Sequence, residues 1–422
     1  MGRKLRVAID CRITDFRQGV GTAVLALAKA FSSSNVSNQE YTFIVRESMR
    51  DWLAPYIGGP SRLAVIPEPA ISGVKAKLRW VAPLRFIWHR ARSRMAYVPV
   101  SDGYVESQQF DLVHFPTQIA YLTNLPTIYQ PHDLQHLHYP QFFSKMAFDL
   151  REREYRAFCD RASIVCVHAE WTKQDVIWHY GIPAEKVAVV PWGSVFDAYK
   201  SPAEEVTLVT VKKYALPDRF FFYPAVTWPH KNHENIIRSL AIMKAKDGRT
   251  PDVFFTGTST DFRRTLDRIA RQLGVMQQLH YLGFVSPEEL QVIYRAATAM
   301  VYASKFEGFG LPILEAFQLG LPVLSSNASV LPEIAQDGAL YFDPNSPAEL
   351  AVLMESVLDS QDLRQRLIEK GTRVLSRYSF SNTAASFQAL YGRAAVLGSN
   401  EKLAAPCYDD EPAMYLRDRA NT

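Results

Sequence analysis

One stretch limits what this chain can fold into. Residues 298–344 read TAMVYASKFEGFGLPILEAFQLGLPVLSSNASVLPEIAQDGALYFDP. The apolar run Ala299 to Ala303 predicts a buried strand, and Lys305 to Gly310 a loop holding two glycines. Pro312 suits the first turn of a helix, where its missing N–H costs nothing. That helix is expected to end near Leu319, with Gly320 as its stop and a second strand from Pro322 to Ser325. Strand, glycine loop, helix and strand in this order are a unit of a parallel α/β sheet.

The unit also makes an anion site, because free N–H groups at a helix start and the helix dipole attract phosphate. Gly308 and Gly310 let the backbone approach a ligand closely. Glu307 on the loop and Glu315 on the helix are out of place beside phosphate unless they bind something else. Paired sugar hydroxyls fit, since a carboxylate accepts from two at once. Either carboxylate alone reads as a solvated or helix-start charge; the two around Gly-Phe-Gly-Leu-Pro point to a ligand.

The segment resembles the donor-binding signature of retaining glycosyltransferase family 4, an α/β family of the GT-B fold. The similarity continues through Ser326-Asn327, Leu331-Pro332-Glu333 and Asp343-Pro344. It implies two doubly wound Rossmann-like domains facing a central cleft, where the ligands of such sheets bind. It also implies that Glu307 meets the sugar of a nucleotide-sugar, that Glu315 meets the ribose, and that the amides of Gly308, Phe309 and Gly310 meet sugar and phosphate.

The rest of the chain accommodates this. At 422 residues it is too long for one ordinary core. The expected division is an acceptor-side domain over 1–199, a linker over 200–218 and a nucleotide-sugar domain over 219–377. A helix over 378–397 then crosses back to the first domain, and 398–422 form a tail. Hydrophobic content of 48% and charge of 21% are those of a globular protein, and a net charge of +4 gives no reason to expect nucleic acid. Four scattered cysteines without metal spacing suit a reducing cytoplasm. The N-terminal apolar run is too short for a signal peptide, and no stretch reads as a membrane span.

Near the start, a strand over Leu5 to Ile9 leads through a polar loop to Gly19-Val20-Gly21 and a helix from Thr22 to about Phe31. From the pattern alone, these glycines serve tight packing or phosphate equally well. The resemblance points Gly19 and Gly21 toward the cleft. Residues 130–140 read QPHDLQHLHYP, and a metal reading of its histidines finds no further ligand cluster in the sequence. His132 matches a family histidine that points into the cleft. In the second domain, Lys231 matches a lysine that contacts the donor diphosphate. The basic partner, usually Arg, is missing from this loop, which leaves His230 as a possible substitute. The backbone at Gly283-Phe284 matches the nucleobase-reading segment.

Taken together, the resemblance implies a retaining hexosyltransferase using GDP-mannose or a UDP-sugar, with His132, Glu307 and Lys231 in catalytic roles. The acceptor would be a glycan or lipid-linked sugar of a surface polysaccharide. No cofactor or metal is expected, since the chain lacks an Asp-x-Asp pattern that would hold Mg²⁺ or Mn²⁺ on the diphosphate. A sugar-nucleotide 2-epimerase of the same fold is the alternative, although no distinct acid–base pair is visible for it. A third reading is a non-catalytic basic module. It rests on Lys75 to Arg94, where Trp80, Leu84 and Trp88 share a helical face among basic residues. That segment fits a helix lying peripherally on an anionic cytoplasmic membrane face, or one packing its tryptophans inward.

Overall fold

The computed structural model describes residues 3–12, 19–34, 38–68 and 98–400. Two wholly parallel sheets are present. The first has seven strands: β1 (Leu5–Asp10), β2 (Gln39–Arg46), β3 (Ser61–Ile66), β4 (Leu112–Phe115), β5 (Thr127–Tyr129), β6 (Ile164–Val167) and β7 (Val187–Val189), in the order β3-β2-β1-β4-β5-β6-β7. The second has six: β8 (Phe220–Pro224), β9 (Asp252–Thr256), β10 (Leu279–Gly283), β11 (Ala299–Tyr302), β12 (Val323–Ser326) and β13 (Ala339–Phe342), in the order β10-β9-β8-β11-β12-β13. Helices cover both faces, so the central strands read as unbroken apolar runs such as Phe220–Tyr223 and Ala299–Tyr302.

Both orders reverse at one place, between β1 and β4 in the first sheet and between β8 and β11 in the second. At such a switch point adjacent strands send their loops to opposite faces. The resulting crevice beyond their C-terminal ends is where ligands of open α/β sheets bind. The loops after β8 and β11 are those that carry Lys231 and Glu307.

The expected linker is more ordered than its composition indicated. Glu204–Tyr214 is a helix packed beside the helix Pro287–Ala296, with Lys213 Nζ 2.6 Å from Glu289. Its poor periodicity has a simple reason: Leu208 and Val209 face solvent, and only Thr210 is buried. The edge strand β3, also absent from the sequence reading, is only half-buried along most of its length. The last helix, Phe380–Asn400, runs past the expected boundary at 397. Residues 401–422 and the basic segment Lys75 to Arg94 lie outside the described residues.

That last helix returns to the first domain. Tyr391 stacks on Phe31 at 5.8 Å and its hydroxyl meets Nδ1 of buried His114 at 2.8 Å. The Gln39 side chain donates to the carbonyl of Gln388 at 2.9 Å, and Thr383 to that of Pro191 at 2.7 Å. Where the helix begins, Gly193 leaves no space. A Cβ there would stand 2.4 Å from the Phe380 nitrogen and 2.5 Å from the Ser379 carbonyl carbon. Gly193→Ala should therefore cost about 1–3 kcal/mol through overpacking, read as a lower urea midpoint. An unchanged midpoint would show that this junction is not tight.

Candidate active site

The second sheet's switch point assembles the charged centre. β8 and β11 are hydrogen-bonded neighbours, so the loops that leave their C-terminal ends must meet. Lys231 Nζ lies 2.6 Å from Glu307 Oε1, with both side chains largely buried. The two loops are sewn together by backbone and side chain. Lys305 N–H donates to the His230 carbonyl at 2.8 Å, and the Asn232 amide donates to Ala303 O at 3.0 Å and Pro344 O at 2.7 Å. Asn232 has φ +58°, a left-handed conformation that asparagine tolerates well.

Sequence reasoning missed the partners that hold this pair. The Ser304 hydroxyl donates to Glu307 Oε1. Tyr223 donates to the Lys231 carbonyl at 2.8 Å and meets Ser304 Oγ at 3.0 Å. Ser329 clamps the Glu307 backbone, accepting from its N–H at 3.0 Å and donating to its carbonyl at 3.0 Å. Glu307 is thus fixed through both its side chain and its main chain.

His230 differs from the missing arginine in charge. Burial, then the adjacent Lys231 charge, hold its pKa down at about 4, so it is neutral at pH 7. Lys231 remains the cation of this loop.

The glycine loop leads into the helix Leu311–Gln318 through Gly310 at φ +112°. Phe309 points into the core, 5.9 Å from Trp192 and 6.2 Å from Tyr378, so only its backbone is left for a ligand. Glu315 is buried on the first turns of the helix and accepts from Tyr294 Oη at 2.6 Å through Oε2. Its Oε1 has no protein partner among the described residues. Burial pushes its carboxyl up to about pH 7, against the smaller opposing effect of the Tyr294 hydrogen bond. Phe284, in contrast, is 66% exposed at the end of β10.

The first domain faces this centre across a narrow contact. A Cβ on Gly308 would lie 2.4 Å from the carbonyl oxygen of His132, so the two backbones touch. Thr172 donates to Gly308 O at 3.3 Å, and Tyr139 to Lys305 O at 3.1 Å. Glu333 reaches across to cap the helix Glu170–Tyr180, accepting from the N–H groups of Glu170 at 2.7 Å and Trp171 at 2.8 Å. A carboxylate there meets both the orphan donors and the positive end of the helix.

His132 itself has φ +63° and is buried against Trp192. Its Nδ1 lies 3.2 Å from Nε2 of His168, and its own Nε2 lies 3.2 Å from the Pro116 carbonyl. His168 Nδ1 meets the Val190 carbonyl at 2.8 Å and so carries that ring's proton. Burial holds His132 at about 3 and His168 well below its ordinary value, so the pair is neutral at pH 7. One proton is then left for two positions on His132. It can point at His168 or at Pro116, and these two protein groups engage both ring nitrogens.

Farther out, Asp10 at the end of β1 accepts from Tyr121 at 2.8 Å and from the Arg12 guanidinium. Burial works against the Arg12 charge, but the Asp10 hydrogen bond and charge outweigh it and raise its pKa. Gly21 is buried, and Gly19 is exposed at the helix start, with nothing among the described residues near the position of a Cβ. Residues 13–18, which precede it, are outside the described residues.

Comparison with known proteins gives this geometry a setting. Residues 18–194 match the Glycosyltransferase Family 4 model and 211–374 match Glycosyl transferases group 1. The chain is 26% identical over 278 residues to O-antigen chain mannosyltransferase B of Escherichia coli, covering 62% of this chain and 71% of that protein. It is 28% identical over 229 residues to the mannosyltransferase WbdA of the same organism, a match that spans 53% of this chain and only 28% of WbdA. D-inositol 3-phosphate glycosyltransferase of Corynebacterium glutamicum is 27% identical over 259 residues, 58% of this chain and 62% of that one. Among solved structures, HepE of Anabaena with UDP and glucose superposes at TM-score 0.67 and 16% identity, covering 92% of this chain and all of that one. WaaG, a glycosyltransferase of lipopolysaccharide biosynthesis, superposes at 0.62 and 14% identity, over 91% of this chain and 99% of that one. The fold is GT-B.

The state of Glu315 sets a pH test. Its folded pKa of about 7 lies above the ordinary 4.5, so the folded protein holds an extra proton between those values. This group's contribution to stability is full below about pH 4.5 and is lost as pH rises through 7. Glu315→Gln removes that dependence. Relative to wild type, the variant should gain roughly 3 kcal/mol between acid and pH 8, measured by urea unfolding across that range. Parallel stability curves would contradict the buried, proton-binding carboxyl.

Proposed function

The chain being a family 4-like glycosyltransferase of GT-B fold, we propose that it moves a hexose from a nucleotide-sugar onto a glycan or lipid-linked acceptor with retention of configuration. The observation that carries this reading is the Lys231–Glu307 pair at the switch point, beside the helix start at Gly310. A cation and the amides of the glycine loop suit a diphosphate, and a carboxylate rigidly held beside them suits sugar hydroxyls. Glu315, engaged by Tyr294 through one oxygen only, suits the ribose. The exposed edge at Gly283-Phe284 suits the nucleobase.

In the proposed step the bond from the anomeric carbon to the diphosphate breaks as the acceptor oxygen attacks the same face. The acceptor's proton passes to the leaving diphosphate oxygen. Lys231 and the helix-start amides stabilise the charge that develops there. His132 hydrogen-bonds the reacting sugar or the acceptor. To do so the ring would exchange its Pro116 or His168 contact for the ligand, and as a neutral group it brings no buried charge near the sugar. Mg²⁺ or Mn²⁺ on the diphosphate is not needed, as Lys231 supplies the positive charge.

Mannose from GDP-mannose is the first donor to test, because several relatives are named mannosyltransferases. UDP-hexoses come next, since the superposed HepE was solved with UDP and glucose. A lipid-linked acceptor would bring the enzyme to a membrane surface. Among the described residues no helix is long and apolar enough to cross one.

The test is product formation. Incubation with GDP-mannose or a UDP-hexose and a mixed glycan acceptor should give a product one hexose heavier, with transfer surviving a chelator. Glu307→Ala should lower turnover by roughly a hundredfold or more, with a smaller effect on donor affinity. Glu315→Ala should chiefly weaken donor binding. Transfer abolished by chelation and restored by Mn²⁺ would overturn the charge assignment, and full activity in Glu307→Ala would remove that residue from the sugar.

A further inference from the structure

The histidines after β5 do have a ligand cluster, but it is made by a helix that the chain reaches much later. His138 ends the short helix Gln135–His138. Asp175 and His179 lie four residues apart on the helix Glu170–Tyr180 and so share one face. One donor atom from each of the three falls within 4.8 Å of the others. His138 Nε2 is 2.8 Å and His179 Nε2 is 3.4 Å from Asp175 Oδ1. Ligands about 2 Å from one tetrahedral ion stand roughly 3.3 Å apart, so small side-chain adjustments would turn this triad into one face of a coordination shell.

A second observation singles the triad out from an ordinary His–Asp–His chain. Asp175 is only 8% exposed, and its other oxygen, Oδ2, is buried with no hydrogen-bond partner among the described residues. A buried carboxylate oxygen left unpaired is costly, and a cation held by both Asp175 oxygens would relieve it. The two histidine side chains are 28% and 32% exposed, which leaves an open side for an ion to enter and for water to complete its shell.

We propose that His138, Asp175 and His179 bind a divalent transition ion of the Zn²⁺ type. Two imidazoles and one carboxylate are ligands of that class and do not suit Mg²⁺, which takes oxygen. The site is separate from the proposed sugar chemistry, and the inference stands whether or not that reading holds. Its place nevertheless gives it an effect. The His138 ring lies 4.9 Å from that of Phe306 in the second domain and 5.5 Å from that of Trp171. Phe306 immediately precedes Glu307. An ion that fixes the His138 ring would fix the seat of the glycine loop against the first domain.

The experiment uses the full chain, with any affinity tag removed and bound metal stripped by a chelator. Zn²⁺ is titrated by calorimetry, and Co²⁺ is used as a probe whose visible absorption reports its coordination. Wild type should take up one equivalent of either ion, be unaffected by excess Mg²⁺, and melt at a higher temperature with Zn²⁺ present. His138→Gln and His179→Gln should each weaken uptake by more than the roughly 10–100-fold that loss of an outer-shell partner costs. They should also abolish the thermal shift. Both positions are partly exposed, so these variants are expected to fold, as circular dichroism would verify; Asp175→Asn provides a third arm. Absence of one-equivalent binding in wild type overturns the proposal. So does binding that persists in the His138→Gln/His179→Gln double variant, which would put the ion elsewhere, such as on the cysteines.

Discussion

The ion pair between Lys231 and Glu307 is the contact on which the site depends. It joins the loops of two neighbouring strands, β8 and β11, at the point where the second sheet reverses its order. Each charge is taken largely out of water and is tolerable only because the other is there. In the proposed complex a diphosphate would take the lysine and sugar hydroxyls the carboxylate. Ligand binding in this account is an exchange in which Lys231 turns to phosphate and Glu307 to hydroxyls. The surrounding hydrogen bonds from Ser304 and Ser329 keep Glu307 in position throughout.

The two domains meet through backbone as much as through side chains. Gly308 lies against the His132 carbonyl with no room for a Cβ, and Glu333 caps a first-domain helix. The glycine loop seats the first domain on one side, and in the proposed complex its amides would face the donor on the other. The same contact brings His132, with its neutral His168 partner, up to the loop that carries Glu307. The triad of His138, Asp175 and His179 borders this seat from behind Phe306.

The second sheet's unit from Ala299 to Ser326 was legible because everything that defines it is local. Glycine, proline and apolar runs mark strand, loop and helix within one short stretch, and resemblance to a family supplied the roles. What sequence did not reveal depends on distant contacts. Glu333 caps Glu170 from 163 residues away, and Tyr223 reaches Ser304 across 81. His138 looked isolated because its ligand partners are 37 and 41 positions on. The helix Glu204–Tyr214 was missed for the opposite reason: with leucine and valine facing solvent, it carries almost no apolar periodicity to read. His230 could be weighed as a cation from its residue type alone, but only its burial beside Lys231 shows that it is neutral.

In the proposed reaction Lys231 serves the diphosphate and Glu307 the sugar, although each now neutralises the other. Calorimetry of a nucleoside diphosphate, which lacks the sugar, separates the two. The account predicts that Lys231→Gln binds it more weakly than wild type. Glu307→Gln should bind it at least as tightly, because removing the carboxylate frees the lysine. Equal losses in the two variants would contradict the division of roles and reduce the pair to a structural bridge between β8 and β11.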